Sequence, residues 1–164
     1  MAGTISISNP GASSEEIVKE ILPQLKALLG DERDEIACMA NIASALQEVF
    51  RFHWIGFYRV QGNELILGPF QGPVACTRIG FGKGVCGTSW AQNATLVVDD
   101  VEAFPGHIAC SALSKSELVV PLRDTSGQVR AVLDIDSEHY AAFDAALQTG
   151  MEDICVMLAK QIYS

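Results

Sequence analysis

Three of the five cysteines lie within a stretch rich in glycine and proline, residues 68–110. They are Cys76, Cys86 and Cys110, and His107 stands three residues before the last of them. Gly and Pro at this density form shaped loops rather than a packed core, and such loops bring backbone and side chains close to a small ligand. Thiols placed there can act as nucleophiles, redox partners or metal ligands. We therefore expect the chemistry of the chain to lie in this stretch.

Two kinds of chemistry fit these residues. The four side chains could form a Cys₃His zinc site, although structural zinc normally uses closely paired ligands, and only His107 and Cys110 have that spacing. Alternatively, one thiolate attacks an oxidised substrate and a second thiol closes a disulfide, with His107 and backbone amides activating the nucleophile. The thiols could also simply line a core. In contrast, Cys38 and Cys155 fall within helical patterns and are expected to be buried and inert.

Three carboxylates are predicted to share one surface of a sheet. The segment 117–137 has the pattern of a β-hairpin with a DTSG turn, and side chains along a strand alternate between its two faces. Glu117, Asp134 and Asp136 then lie opposite the apolar faces of their strands. Carboxylates this close repel each other unless a cation or a proton lies among them. The surface is either a solvated acidic face or a cage for an ammonium group in which one carboxyl stays protonated.

Two aromatic residues extend this surface. The segment 53–60 is predicted to be a strand, and Trp54 and Tyr58 share one of its faces. Such residues are most often core aromatics. They could equally form the wall of a pocket for a small apolar or sulfur-bearing group, since sulfur packs favourably against aromatic rings.

The elements that must position these groups are helices at both ends of the chain and antiparallel strands between them. A capping pattern at Ser13 begins the first helix, which Pro23 should bend or interrupt. Asp31 is predicted to cap the second helix, and the last helix begins near Asp144. The fold class is therefore α+β: an antiparallel sheet with the terminal helices on one face and ligand-enclosing loops on the other.

Length and charge limit the remaining possibilities. A chain of 164 residues predicts one domain, residues 1–164, in which residues 1–12 form a flexible arm. The net charge of −9 argues against nucleic acid and anionic membrane surfaces as partners. No apolar run approaches the roughly 18 residues of a membrane span, and no signal peptide is recognisable. We therefore expect a cytoplasmic protein, whose cysteines would be catalytic, redox-active or metal-binding.

Four motifs carry a resemblance to a known family. GPFQGPVACTRI, GKGVCGTSW, FPGHIACSALSKSELVVPL and VLDIDSEH closely resemble, in the same order, motifs of the free methionine-(R)-sulfoxide reductases, which are GAF domains. The resemblance extends from about residue 13 to the last helix. It implies reduction of the R epimer of free methionine sulfoxide without metal or cofactor, thioredoxin as the external reductant, and a homodimer. The alternative is a GAF domain that only binds a small ligand as a sensor.

The resemblance also implies roles for individual residues. Cys110, in HIAC, would attack the sulfoxide sulfur and become a sulfenic acid, and Cys76, in PVAC, would condense with it into a disulfide. Cys86, in GVCG, would have an auxiliary part in recycling. The remaining site residues matched to the family are Glu117, Asp134, Asp136 and Trp54.

The substrate itself suggests what else the site needs. A protonated carboxyl would let the sulfoxide oxygen leave as water, and the other carboxylates would hold the substrate ammonium group. We expect the substrate carboxylate to be bound by backbone amides before Cys110, at Ile108 and Ala109. The side chains of Arg78 or Lys83 are the alternative.

Overall fold

The computed structural model describes residues 3–164, and over that range it consists of four α-helices and one six-stranded antiparallel sheet. The helices are α1 (Ser14–Leu29), α2 (Glu35–Phe50), α3 (Gly84–Gln92) and α4 (Ala145–Tyr163). The strands are β1 (Trp54–Gln61), β2 (Glu64–Gln71), β3 (Arg78–Gly80), β4 (Leu96–Val98), β5 (Ser116–Arg123) and β6 (Val129–Ser137). The predicted α+β class is confirmed. No helix within residues 3–164 has the length and apolar character needed to cross a membrane.

The sheet brings together strands that are far apart in the chain. Its order is β3-β2-β1-β6-β5-β4, so two hairpins meet along the central pair of β1 and β6. In this register Trp54 lies opposite Asp136, and Asp136 lies opposite Glu117 on its other side. Residues separated by more than sixty positions therefore become neighbours at one end of the sheet.

The two faces of the sheet have different partners, as the alternation of side chains predicts. One face packs against α1, α2 and α4 and forms the main hydrophobic core. Its fully or almost fully buried strand residues are Ile55, Phe57, Leu118, Val120, Leu122, Ala131, Leu133 and Ile135. A second cluster on the other face contains Trp54, Tyr58, Val119 and two residues of α3, Val85 and Cys86.

In the first helices, the possible interruption at Pro23 and the cap at Asp31 are wrong, while a bend at Pro23 stays a prediction. Helix α1 runs through Pro23 without interruption, because Ile21 and Leu25 on the same helix are fully buried and this packing offsets the hydrogen bond that proline removes. Helix α2 begins at Glu35 and is capped by Asp34 rather than Asp31. The Asp34 carboxylate accepts a hydrogen bond from the Ala37 amide at 2.8 Å, which is the geometry of an N-cap.

The segment before α1 lies against that helix. We expected residues 1–12 to form a flexible arm, and residues 1–2 lie outside the described residues. Within residues 3–12, Ile5 is part of the main core, and the amide of Ser6 donates to Gln24 Oε1 at 3.0 Å. The amide of Ser8 donates to Glu20 Oε1 at 2.8 Å. These contacts give the segment a defined position on α1.

Candidate active site

A pocket opens on the face of the sheet that carries α3. It encloses about 550 Å³, counting the part open to solvent. The loop between β2 and β3 and the loop that precedes β5 close over it. The predicted site residues that line it are Trp54, Tyr58, Cys86, Ile108, Cys110, Glu117, Asp134 and Asp136.

A disulfide at the pocket mouth joins the two loops. Cys76, between β2 and β3, is bonded to Cys110, before β5, and their Cα atoms are 5.8 Å apart. Cys110 is exposed and Cys76 is partly buried. Both sulfurs are consumed in this bond, so the Cys₃His zinc site considered from the sequence is incompatible with this arrangement.

The third cysteine of the region lies beneath the pocket. Cys86 is in the first turn of α3, is 3% exposed, and its sulfur is 4.0 Å from Glu117 Oε1. A helix N-terminus favours a thiolate. Here burial, followed by the negative charge of Asp134, raises the pKa of the Cys86 thiol well above its usual value. Cys86 therefore remains a neutral thiol. Cys38 and Cys155 are also free and buried, as predicted.

The three carboxyl groups lie together, Glu117 and Asp134 buried and Asp136 half-buried, and the loss of solvent affects the pKa of each. Glu117 and Asp134 are each 6% exposed. Burial, reinforced by the charges of Asp134 and Asp136, raises the pKa of Glu117 well above its ordinary value, and burial does the same to the pKa of Asp136. The acidic surface is thus a desolvated cage rather than a solvated face.

Hydrogen bonding distinguishes Glu117 from Asp134. Burial raises the pKa of Asp134 as well, but hydrogen bonds with Glu117 and Cys86 lower it. The same bond to Asp134 raises the pKa of Glu117. The two carboxyl groups are close enough to share a proton, and the directions of their pKa shifts favour Glu117 as its carrier. Asp134 Oδ1 is buried and has no hydrogen-bond partner among the described residues.

His107 lies beside Glu117. Its Nε2 atom is 3.7 Å from Glu117 Oε2, and burial lowers the pKa of His107. The imidazole is therefore neutral at neutral pH, and it adds no positive charge that would draw the proton from Glu117. The structure places His107 in the carboxyl cage.

Aromatic rings form the wall of the pocket. The Trp54 ring stacks on Phe70 at 5.3 Å and on Tyr58 at 5.9 Å between ring centroids. The Tyr58 hydroxyl donates to the Cys76 carbonyl at 2.9 Å, and the Trp54 indole N–H donates to the Pro73 carbonyl at 3.0 Å. The rings thus fix the loop that carries Cys76, and they leave an apolar surface towards the cavity.

Comparison with known proteins agrees with this geometry. The sequence model of the GAF domain matches residues 32–155. "GAF domain-containing protein A" of Dictyostelium discoideum is 54% identical over 145 residues, which are 88% of this chain and 90% of the relative. The free methionine-R-sulfoxide reductase of Escherichia coli is 40% identical over 146 residues, 88% of each chain. The chain belongs to the free methionine-R-sulfoxide reductase family of GAF domains. The free methionine-R-sulfoxide reductase of Neisseria meningitidis, solved in complex with its substrate, has a TM-score of 0.93 and 46% identity, with 98% of this chain and 95% of that chain covered.

The residues expected to bind the substrate carboxylate do not all lie at the pocket. Ile108 and Lys83 line the pocket. Ala109 is exposed and is not among the lining residues. Arg78 points to Glu64, with 2.8 Å between Nη1 and Oε2. Of the two cationic candidates for the substrate carboxylate, Lys83 is the one that lines the pocket.

The sequence argument missed Phe70, and a β-bulge explains why. From Tyr58 to Gln61 the register of the β1–β2 hairpin is regular, but it shifts by one residue between Gly56 and Tyr58. This shift pairs Gly56 with Phe70, whereas a regular hairpin would pair it with Pro69. Because one residue of slip exchanges the two faces of a strand, alternation counted from the turn assigns Phe70 to the wrong face.

Proposed function

We propose that this protein reduces free L-methionine-(R)-sulfoxide to L-methionine, with Cys110 as the nucleophile and Cys76 as the resolving thiol. One observation carries the proposal: the Cys76–Cys110 disulfide borders a pocket that is lined by three clustered carboxyl groups, those of Glu117, Asp134 and Asp136. The substrate complex of the Neisseria meningitidis reductase, which is 46% identical, supports the choice of substrate. The reaction would repair oxidised free methionine and so contribute to the defence of the cell against oxidants.

The reaction balances with the groups at hand. The Cys110 thiolate attacks the sulfoxide sulfur while Glu117 gives its proton to the oxygen. The bond between the substrate sulfur and its oxygen breaks, the protonated oxygen bonds to the Cys110 sulfur as a sulfenic acid, and methionine leaves with the electron pair of the transient sulfur–sulfur bond. The Cys76 thiol displaces it as water and forms the disulfide. Two thiols have lost two electrons in total, and the sulfoxide has gained them.

The charge of the cage supports a free amino acid as substrate. In this proposal the Asp134 carboxylate accepts the ammonium group, and Asp136, which lines the same pocket, supports it. Trp54 provides an apolar surface for the methylthio end. A methionine sulfoxide within a peptide lacks the ammonium group, so it would leave a buried carboxylate without a partner, which is costly.

Recycling requires an external reductant, for which we propose thioredoxin. Cys110 is the exposed residue of the disulfide, so the thiol of a reductant can reach the bond there. Cys86 is proposed to have an auxiliary part in this phase. We propose the cytoplasm as the place of action, because thiols are kept reduced there, and a homodimer as the assembly that the family resemblance implies.

The test is an assay of methionine formation with dithiothreitol as reductant. The protein should convert free methionine-(R)-sulfoxide and leave the S epimer and N-acetylmethionine sulfoxide unchanged. Cys110→Ser should be inactive, and Cys38→Ser, which alters a free buried cysteine outside the pocket, is the matched control. Absence of methionine with the free R epimer would rule out the proposed activity.

A further inference from the structure

Beside the nucleophile, three side chains form a chain of polar contacts, one hydrogen bond and one close His–carboxylate pair, that the proposed reaction does not use. His53 Nε2 lies 3.0 Å from Ser111 Oγ, and His53 Nδ1 lies 3.1 Å from Glu138 Oε1. Ser111 is the residue after Cys110, and its Oγ atom also accepts a hydrogen bond from the Leu113 amide at 3.3 Å. Ser111 lines the same pocket as the nucleophile.

These contacts connect a loop to the centre of the sheet. His53 immediately precedes β1, and Glu138 immediately follows β6, the two central strands that pair with each other. The His53 side chain is only 10% exposed, whereas that of Glu138 is 52% exposed. The amides of His107 and Cys110 bond to carbonyls within their own loop, those of Phe104 and Ile108. A bond from Ser111 to His53 therefore gives this loop an attachment to the sheet.

The donors and acceptors fit one arrangement of protons. A Glu138 carboxylate can only accept, so His53 Nδ1 carries the proton and Nε2 is the acceptor. Ser111 then donates its hydroxyl proton to Nε2 and accepts from the Leu113 amide. With a neutral imidazole, both ring nitrogens of His53 then have partners, and the Ser111 hydroxyl is held in one orientation.

We infer that His53, oriented by Glu138, is a positioning residue that fixes Ser111 and so holds Cys110 where it can close the disulfide with Cys76. The order of the groups is that of a Ser-His-acid triad. Here the serine adjoins a cysteine, which is intrinsically the better nucleophile, and the dyad of His53 and Glu138 acts on placement. This inference rests on the proposed function only for the role of Cys110.

Hydrogen peroxide tests the inference without methionine sulfoxide. The reduced Cys110 thiolate attacks one peroxide oxygen and releases hydroxide, and the resulting sulfenic acid condenses with the Cys76 thiol, releasing water. At saturating peroxide the closure step limits the rate, and quenching with a thiol-alkylating reagent followed by mass analysis measures it. Loss of methionine sulfoxide turnover with normal closure would count against the proposed function alone.

We expect His53→Ala and Ser111→Ala each to slow closure about tenfold, the effect of losing one hydrogen bond. The double variant should be no slower than either single variant, because both remove the same contact. His53→Gln, whose amide can replace Nε2, should recover most of the rate, whereas His53→Asn should not. His139→Ala, an exposed histidine next to Glu138, is the matched control.

Closure at the wild-type rate in His53→Ala, or slowing in the double variant equal to the product of the single effects, would overturn the inference. Equal rates for His53→Gln and His53→Asn would also contradict it, since a merely structural histidine gives no reason for that difference. Glu138→Ala, which removes the acceptor at a half-exposed position, provides a second route if His53→Ala does not fold. It should slow closure severalfold, and an unchanged rate would again contradict the inference.

Discussion

The buried proton on Glu117 should make the stability of the protein fall as pH rises. Burial, and then the charges of Asp134 and Asp136, raise the pKa of Glu117 well above its usual value. In the unfolded chain a glutamate loses its proton near pH 4.3. Above that pH the folded protein keeps a proton that the unfolded chain has released. The stabilisation is complete below the unfolded pKa and is lost as the pH rises through the folded pKa.

The size of the effect follows from proton linkage. Each proton held only by the folded state decreases the free energy of unfolding by about 1.4 kcal/mol per pH unit. For a chain of this size that corresponds to a decrease of about 3–6 °C in Tm per unit. His107 has the opposite sign, because burial lowers its pKa and the folded state then holds fewer protons than the unfolded chain. The change in unfolding free energy with pH should therefore be measured between about pH 7 and about pH 8, where His107 is mostly neutral in both the folded and the unfolded state.

Glu117→Gln isolates the contribution of this proton. The amide can still donate to Asp134 but cannot titrate, so the variant should lose about 1.4 kcal/mol per pH unit less stability than the wild type. Urea unfolding of the disulfide form, followed by circular dichroism without reductant, measures the slope. Glu48→Gln, at an exposed position on α2, is the control and should retain the wild-type slope. Equal slopes for the wild type and Glu117→Gln would refute the protonation of Glu117 in the folded protein.

Three further predictions concern the pocket and the core. Gly56→Ala should lower the free energy of unfolding by about 1–3 kcal/mol and raise KM more than it lowers kcat. The reason is that a Cβ at this position would lie 2.4 Å from Phe70 Cβ and 2.6 Å from Trp54 Cη2. An unchanged KM would contradict this. Cys86→Ser should retain the disulfide-forming single turnover, because the disulfide forms without Cys86, and should slow only thioredoxin-dependent recycling. Loss of the single turnover would disprove that division. Leu133→Ala, at a fully buried position under the helices, should lower the unfolding free energy by about 2–5 kcal/mol in urea titrations, with the pocket chemistry intact.

The faces of the central strands could be predicted because the pattern on them has one physical interpretation. Leu118, Leu133 and Ile135 must be buried against the helices, so Glu117 and Asp134 are forced to the opposite face. The sequence does not state that this second face is also desolvated. That property comes from α3 and two loops, which cover the carboxyl groups only after the chain has folded.

Other features depend on contacts that local patterns do not encode. The bulge before Tyr58 changes which β2 residue packs against Trp54, and Gly56 indicates a bulge there without fixing the resulting register. Pro23 is tolerated because of tertiary packing, and the cap at Asp34 is chosen over Asp31 by the local turn. The pairing of His53 with Ser111 joins positions 58 residues apart, so it follows from the placement of a loop rather than from spacing.

The proposed order of events at the two cysteines is tested most directly by a single turnover of Cys76→Ser. The reduced variant, mixed with excess free methionine-(R)-sulfoxide and no added reductant, should release about one methionine per subunit and accumulate a sulfenic acid on Cys110. Cys110→Ser should release none. If Cys76→Ser released no methionine while Cys110→Ser did, the assignment of nucleophile and resolving thiol would be reversed.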